Sequence, residues 1–233
     1  IYDRTGGIDF PPSDTNLKVT NPRDFKVLCW DKWATYKEIG KFMPKTFLIN
    51  SEKDIESAVL KSQTDIVVLK PFNGLKGMGI FIGHKNDALN FKFPEKFKKY
   101  IMQEFVDTSK GIPGIATGRH DLRVAVINGK AVWCHVRIPK GENLIANAAR
   151  GGSVREVDYT VVPESVKKIV NEISEHFSKK YGNTIYSIDF GMDSDGVAKV
   201  FEINDQIGFP RIEMSTKDKF LIGLVESFKE KLS

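Results

Sequence analysis

Three oxygen-bearing side chains, Asp189, Glu202 and Asn204, have the types and spacing to hold a hard cation. Glu202 and Asn204 are two residues apart and so share one face of a strand. A turn centred on Ser194-Asp195 pairs Met192 with Val197 and therefore Asp189 with Val200, which puts Asp189 on that same face. Ile188, Phe190, Phe201 and Ile203 fall on the other face, where they can be buried. Two carboxylates about 4 Å apart repel by several kcal/mol at moderate dielectric, and a divalent ion reverses that repulsion. Mg2+ suits the set, because it takes oxygen ligands at about 2.0–2.1 Å and shares its shell with phosphates; Mn2+ is the alternative ion. The competing reading is a solvent-facing hairpin with scattered acids.

Upstream, Ile66-Val67-Val68-Leu69-Lys70 reads as a strand. The loop Pro71-Phe72-Asn73-Gly74-Leu75-Lys76-Gly77-Met78-Gly79 leads to a second strand, Ile80-Phe81-Ile82. Gly74, Gly77 and Gly79 remove side chains where backbone N–H groups would approach an anion, and Lys70 and Lys76 add positive charge. Strand, glycine loop and strand make a flap over phosphates; a flexible turn is the equal alternative. No Gly-Lys-Ser/Thr occurs and no helix follows, so neither a Walker A loop nor a dinucleotide fingerprint is present. Protein kinases share such a flap, and the chain contains Asp189-Phe190-Gly191 and Arg119-His120-Asp121. A kinase needs His-Arg-Asp with Asn further on, where position 126 is Val, and its lysine follows the glycine loop, whereas Lys70 precedes it. A kinase fold is rejected.

Arg123 and Arg137 lie on the two strands of a hairpin, with Asp121 two residues before Arg123. Simple Asn-Gly register puts the arginines on opposite faces, so both reach one ligand only if a strand bends or bulges. Downstream, Asn147 and Arg150-Gly151-Gly152 offer side-chain and backbone donors.

These residues need elements to position them. Residues 1–27, with Gly6-Gly7, Pro11-Pro12 and Asn21-Pro22, read as an extended lead-in. Asp31 caps a helix from Lys32 to about Phe42, and Thr46 to Ile49 is a short strand. Ser51 caps a helix to about Lys61, with Asp54 in the capping-box position. Tyr100 to Val106 is a strand, and Asp121–Ile127 and Lys130–Ile138 form a hairpin around Asn128-Gly129. Glu164 to about Tyr181 is a helix with Val166, Ile169, Val170, Ile173 and Phe177 on one face. A hairpin from Ile185 to Asn204 and a last helix over about Asp218 to Leu232 complete an α+β or α/β pattern.

Composition narrows the class. The chain has 233 residues, 41% apolar and 28% charged, which suits a globular protein with one large domain or two small ones. No apolar run is long enough to span a membrane, and no charged-then-apolar leader opens the chain; Ile1 in place of Met suggests trimming. The net charge of +5 suits an anionic ligand such as a nucleotide and does not require nucleic acid, which is disfavoured as a partner. Lys96, Lys98 and Lys99, which follow Phe91, Phe93 and Phe97, read as a solvated helix face anchored by the rings. Cys29 and Cys134 read as reduced core residues of a cytosolic protein, without zinc spacing. His135 alternates into a strand and reads as structural.

Together, several of these motifs resemble the ATP-grasp superfamily in order and spacing. The set is Lys32, Val68-Leu69-Lys70-Pro71 with its glycine loop, Gln103-Glu104-Phe105, Asp121-Leu122-Arg123, Asn147 with Gly151-Gly152, Asp189, and Glu202-Ile203-Asn204. Within it the chain is most similar to RimK-like glutamate ligases and bacterial glutathione synthetases. The stretch Cys134-His135-Val136-Arg137-Ile138-Pro139-Lys140-Gly141 is especially similar to the latter. The resemblance covers about residues 28–210; Ile1-Tyr2-Asp3-Arg4 is more faintly similar to the YheC/YheD spore-coat branch.

The resemblance implies an α+β ATP-grasp fold whose two subdomains clamp Mg-ATP. Lys32 and Lys70 would contact the phosphates under a flap of Gly74, Gly77 and Gly79. Gln103, Glu104 and Phe105 would line the nucleotide, with Glu104 and Phe105 on the adenine edge and Asp121 near the ribose. Arg123 and Arg137 would face the transferred phosphoryl group, Asn147 would sit beside phosphates and metal, and Asp189, Glu202 and Asn204 would hold Mg2+. The implied activity is ATP-dependent carboxylate–amine ligation through an acyl phosphate, on an amino acid or peptide. Phosphotransfer to a hydroxyl, or nucleotide binding without catalysis, are the alternatives.

The expected division is a lead-in over 1–30, a first subdomain over 31–105 and a second over 106–233. The α/β domain that usually precedes the core is expected to be absent or truncated. The expected partners are small-molecule or peptide substrates rather than a membrane, with homo-oligomerisation open, in the cytoplasm. After Asn204 the chain reads Asp205-Gln206-Ile207-Gly208-Phe209-Pro210-Arg211, without the usual Ser/Thr-Pro or Pro-Gly run, which leaves the substrate open. Arg211 is either a carboxylate-binding or a surface residue.

Overall fold

The computed structural model describes residues 2, 18–74, 77–141, 144 and 152–232. Lys76, Asn147, Arg150, Gly151 and the opening run except Tyr2 lie outside the described residues. The elements in order are α1 (Arg23–Trp30), α2 (Lys32–Ile39), β1 (Thr46–Ile49), α3 (Asp54–Lys61), β2 (Ile66–Pro71), β3 (Phe81–His84), α4 (Lys85–Ala88) and β4 (Tyr100–Glu104). Then come β5 (Asp121–Ile127), β6 (Lys130–Ile138), β7 (Ser153–Glu156), α5 (Glu164–Tyr181), β8 (Ile185–Met192), β9 (Ala198–Asn204) and α6 (Lys217–Leu232). They build two antiparallel sheets, a four-stranded one ordered β1-β4-β2-β3 and a five-stranded one ordered β7-β6-β5-β8-β9.

Strand alternation decides what each face buries. On β5, Leu122, Val124 and Val126 point into the main core with Phe177 and Ile173 of α5 and Phe25 of α1. The opposite face carries Asp121, Arg123, Ala125 and Ile127. At its far end Ala125 and Ile127 pack with Trp133, Phe220 and Leu224 under α6. The smaller sheet buries Val67, Leu69, Tyr100 and Met102 against α3. Among the described residues no helix is long and apolar enough to cross a membrane.

Several expectations change. The extended lead-in does not hold over its last five residues, which belong to helix α1 at 23–30. Pro22 sets a helix-compatible entry, and Phe25, Leu28 and Cys29 fall on one buried face, with the Phe25 ring 5.3 Å from Phe177. Helix α3 starts at Asp54 rather than after Ser51. Half of the capping box forms even so, as Asp54 Oδ2 accepts from the backbone N–H groups of Asn50 and Ser51, both at 2.9 Å. Residues 91–99 contain a turn and no helix, because Pro94 interrupts them; Phe91, Phe93 and Phe97 nevertheless pack on Tyr100. Strand β4 stops at Glu104, short of Val106. β7 and α4 carry no strong sequence pattern.

Both hairpins contain a bulge. On β5–β6 the register shifts between Ala125 and Val126, so Arg123 pairs with His135 and Asp121 with Arg137. The bulge brings both arginines to one face, which simple Asn-Gly register would not. On β8–β9 Met192 pairs with Ala198 rather than Val197, and Phe190 takes Val200. A bulge then restores Asp189 opposite Glu202 and Ser187 opposite Asn204. The face expected for Asp189, Glu202 and Asn204 is therefore right, but the register behind it was not. Phe201, expected in the core, is the extra residue and turns to the other side.

Candidate active site

A cleft of about 730 Å³ lies between the two sheets. It is lined by Lys32, Lys70, Gly74, Gly77, Gln103, Glu104, Phe105, Asp121, Arg123, Arg137, Asp189, Glu202 and Asn204. Gly79 is not part of the lining. Its φ is +72°, and a Cβ there would come 2.6 Å from the Phe97 ring, so it serves the turn and its packing. Gly74 has a local reason too, since a Cβ would lie 2.3 Å from Pro71 Cγ. Arg211 is exposed, 3.9 Å from Glu213, and stands outside the cleft as a surface residue.

The floor is a charge cluster on β5, β6 and β8. Arg123 donates from Nε and Nη2 to the two oxygens of Asp189, both at 2.6 Å. Arg137 Nη2 donates to Asp189 Oδ2 at 2.7 Å and also to Asp121. Burial would raise the Asp189 carboxyl, but Arg123 and Arg137 hold it well below the usual carboxylate range. Asp121 moves the other way. Burial and the nearby Asp189 charge push it up to about 7, against the pull of Arg137 and Arg123. Asn204 Nδ2 lies 3.4 Å from Asp189 Oδ2.

Two lysines come from the other side. Lys32, at the start of α2, reaches across to Glu202 at 2.9 Å and to the carbonyl of Gly74 at 3.3 Å. Asp31 fixes that helix start by accepting from the N–H groups of Trp33 and Ala34. Lys70, at the end of β2, sits 5.8 Å from the centroid of the Phe201 ring. Burial, and then Lys32, draw its pKa down to about 8, with Glu202 opposing.

Apolar walls flank the charges: Val68, Ile80, Ile82, Phe105 and Ile203. Trp30, Phe201, Asp205 and Gln206 also line the cleft and were missed from sequence. Trp30 Nε1 donates to Asp205 Oδ1 at 3.1 Å, a contact across 175 positions with no local signal. His120, which also borders the cleft, is structural: its ring accepts from Met192 N at 3.1 Å and lies 3.0 Å from Gly118 O. His135 is buried, its pKa drawn down to about 3 by burial and then by Arg123 and Arg137.

Among the described residues no three His, Cys, Asp or Glu side chains gather into a metal-holding group. The candidate set is instead two carboxylates and an amide on one strand-pair face, and its donors are all hard oxygens. Asp121 Oδ1 beside it is buried without a partner, an acceptor left for a ligand's donor or cation. The donor set fits a small divalent cation held between protein and phosphate.

The family model described as prokaryotic glutathione synthetase, ATP-grasp domain, matches residues 32–204. A probable alpha-L-glutamate ligase of Rhodopirellula baltica is 25% identical over 178 residues, covering 75% of this chain and 40% of that protein. A glutathione synthetase of Prochlorococcus marinus is 32% identical over 161 residues, covering 69% of this chain and 50% of the relative. The chain thus spans half or less of the length of these two relatives. The solved structure of the ATP-grasp ligase PsnB with minimal precursor, Mg and ADP superposes with a TM-score of 0.60 at 14% identity, over 90% of this chain and 62% of that one.

Proposed function

This chain belongs to the prokaryotic glutathione synthetase ATP-grasp domain family, and from that premise we propose that it is an ATP-dependent carboxylate–amine ligase acting on an amino acid or peptide. The observation that carries the reading is the cleft itself, in which Lys32, Lys70, Arg123 and Arg137 stand beside the carboxylates of Asp189 and Glu202 and an apolar wall. The wall at Val68, Ile80, Ile82 and Phe105 suits an adenine ring, with Gln103 and Glu104 at its edge. Lys32 and Lys70 suit the phosphates, with Gly74 and Gly77 above them. Residues 31–105 would then act as one jaw and 106–233 as the other.

Asp189, Glu202 and Asn204 would hold Mg2+, which supplies charge neutralisation for the phosphates. In the proposed reaction a substrate carboxylate attacks the γ-phosphate of ATP, ADP leaves, and an amine then displaces phosphate from the acyl group. The residues of this chain contribute position and charge rather than proton transfer. Arg123 and Arg137, fixed on rigid strands by Asp189 and Asp121, present guanidinium donors where negative charge develops. Neutral His135 supports this reading, since it offers no base in the working pH range. Free thiols at Cys29 and Cys134 support a reducing, cytoplasmic setting.

The test is calorimetric titration with Mg-ATP, followed by ADP release and product mass across a panel of carboxylates and amines. The expected result is micromolar nucleotide binding and ADP formation that needs both an acid and an amine. ADP with a phosphorylated hydroxyl and no amide would return a phosphotransferase, and binding without turnover a nucleotide module. Glu202→Gln should weaken Mg-ATP binding tenfold or more, and unchanged binding would refute the metal assignment.

A further inference from the structure

The cleft continues past Asp189 and Glu202 to an end that the nucleotide reading does not use. Register defines its two ends. At one, Met192 pairs with Ala198, the His120 ring accepts from Met192 N, and His120 N donates to Thr108, three residues beyond Phe105 of the apolar wall. At the other, Ser187 pairs with Asn204, and Asp205 follows. The length of β9 from Ala198 to Asn204, about 20 Å of strand, separates the two. Asp189 and Glu202 face each other between them. A nucleotide with its base on Phe105 and its phosphates at Lys70 and Lys32 therefore leaves the Asp205 end for a substrate.

Trp30 stands at that end. It is the last residue of α1, lines the cleft and is 39% exposed, whereas Cys29 beside it is buried. Trp30 Nε1 donates to Asp205 Oδ1 at 3.1 Å, which fixes the tilt of the ring. Lys26, one helical turn earlier, is buried and holds its Nζ over one face of the indole, 5.5 Å from the centroid. The ring offers the cleft its other face. An aromatic guest gains offset or edge-to-face contact there, a two- to tenfold gain in affinity beyond its burial. A cationic guest would instead meet the Lys26 ammonium across the ring, because one π-face already serves a cation. Cys29 also lines the cleft. Burial, and then Asp205 and Glu202, push its thiol well above the usual value, so it stays a neutral wall. This end of the cleft selects a flat, uncharged side chain.

We propose that Trp30 is the specificity-determining residue for the carboxylate substrate: an amino acid, free or at the C-terminus of a peptide, whose aromatic side chain stacks on the open face of the indole while its carboxylate enters beside Asn204 and Glu202. The assignment rests on the ligase reading above. The test is calorimetric titration in the presence of Mg2+ and a non-hydrolysable ATP analogue. The probes are phenylalanine, tyrosine, leucine and lysine, each free and as the C-terminal residue of an alanyl dipeptide. The aromatic probes should bind about fivefold tighter than leucine, and lysine should bind least. Trp30→Leu keeps apolar bulk and should erase that preference. Trp30→Phe keeps a flat ring but loses the bond to Asp205, and should retain most of it. Both variants should bind the nucleotide analogue within about twofold of the wild type. Leucine that binds as well as phenylalanine overturns the stacking, and a preference that survives Trp30→Leu overturns the role of Trp30. Equal loss in both variants makes Trp30 a tether for Asp205 and overturns the proposal too. If none of the probes binds while the nucleotide does, the subsite falls and the nucleotide reading stands. A chain that binds no nucleotide at all sinks the ligase reading and this subsite with it.

Discussion

Asp189→Asn is the sharpest test of the charge cluster. Asp189 is nearly fully buried and accepts three hydrogen bonds from two guanidiniums at 2.6–2.7 Å. Asparagine keeps the volume and one acceptor, but sets an amide N–H₂ against an arginine donor. Arg137 retains Asp121, whereas Arg123 loses its carboxylate partner among the described residues. Removing one member of a buried pair costs about 3–5 kcal/mol, because the other charge stays buried. At about 2–4 °C per kcal/mol for a chain of this size, the melting temperature should fall by about 6–20 °C. The assay is thermal unfolding by circular dichroism at pH 7 without nucleotide. The pH dependence has a definite sign. The Asp189 carboxyl is held below its unfolded value, so its stabilisation is full above about pH 4 and fades as pH falls further. The gap between the two proteins should narrow below about pH 4, and it should level off only above about pH 7, because Asp121, raised to about 7 partly by the Asp189 charge, titrates differently in the variant. A fall of less than 2 °C at pH 7 would refute the reasoning, as would a gap that survives at low pH.

Gly191→Ala should displace Phe201, since the new Cβ would stand 2.1 Å from its Cζ. The ring can swing into the cleft, so stability should drop by only about 1–3 kcal/mol while Mg-ATP affinity falls at least tenfold, and Phe201→Ala should restore part of that affinity. Lys70 has a folded pKa of about 8, below its unfolded value, so its charged form opposes folding below that pH. Lys70→Met should therefore leave the melting temperature at pH 7 unchanged or higher while abolishing nucleotide binding, and wild-type binding should take up protons near pH 8–9, seen as buffer-dependent heats. Asn21 holds both polar groups of Ile185 and the carbonyl of Asp205 at a φ of 59°. Asn21→Ala should cost about 2–4 kcal/mol in urea unfolding from lost bonds and added strain, and Asn21→Gly should recover the strain part.

Local chemistry made much of this protein legible. Asn128-Gly129 set the first hairpin's bounds, and the apolar stripe from Val166 to Phe177 set α5, because both signals lie within a few neighbouring residues. The side of the sheet for Asp189, Glu202 and Asn204 also followed from alternation, although two errors of one residue cancelled to give it. Helix α1 was lost behind Asn21-Pro22, since its eight residues carry only half an amphipathic pattern and gain their stability from Phe177, Tyr181 and Tyr186.

The amino-acid order alone determined which residues carry charge, where the turns fall and which strand faces are apolar, since each depends on side-chain type and a period of two or 3.6. Tertiary structure decided the rest. The bulge at Ala125 and Val126 turned Arg123 and Arg137 to the same side, and the one near Glu202 delivered Phe201 to the cleft. Packing of α1 and α2 against β9 and the segment after it brought Lys32 to Glu202, 170 positions away, and Trp30 to Asp205. A bulge costs one residue of register and a contact between distant elements has no local period, so neither leaves a mark in the sequence that spacing can read.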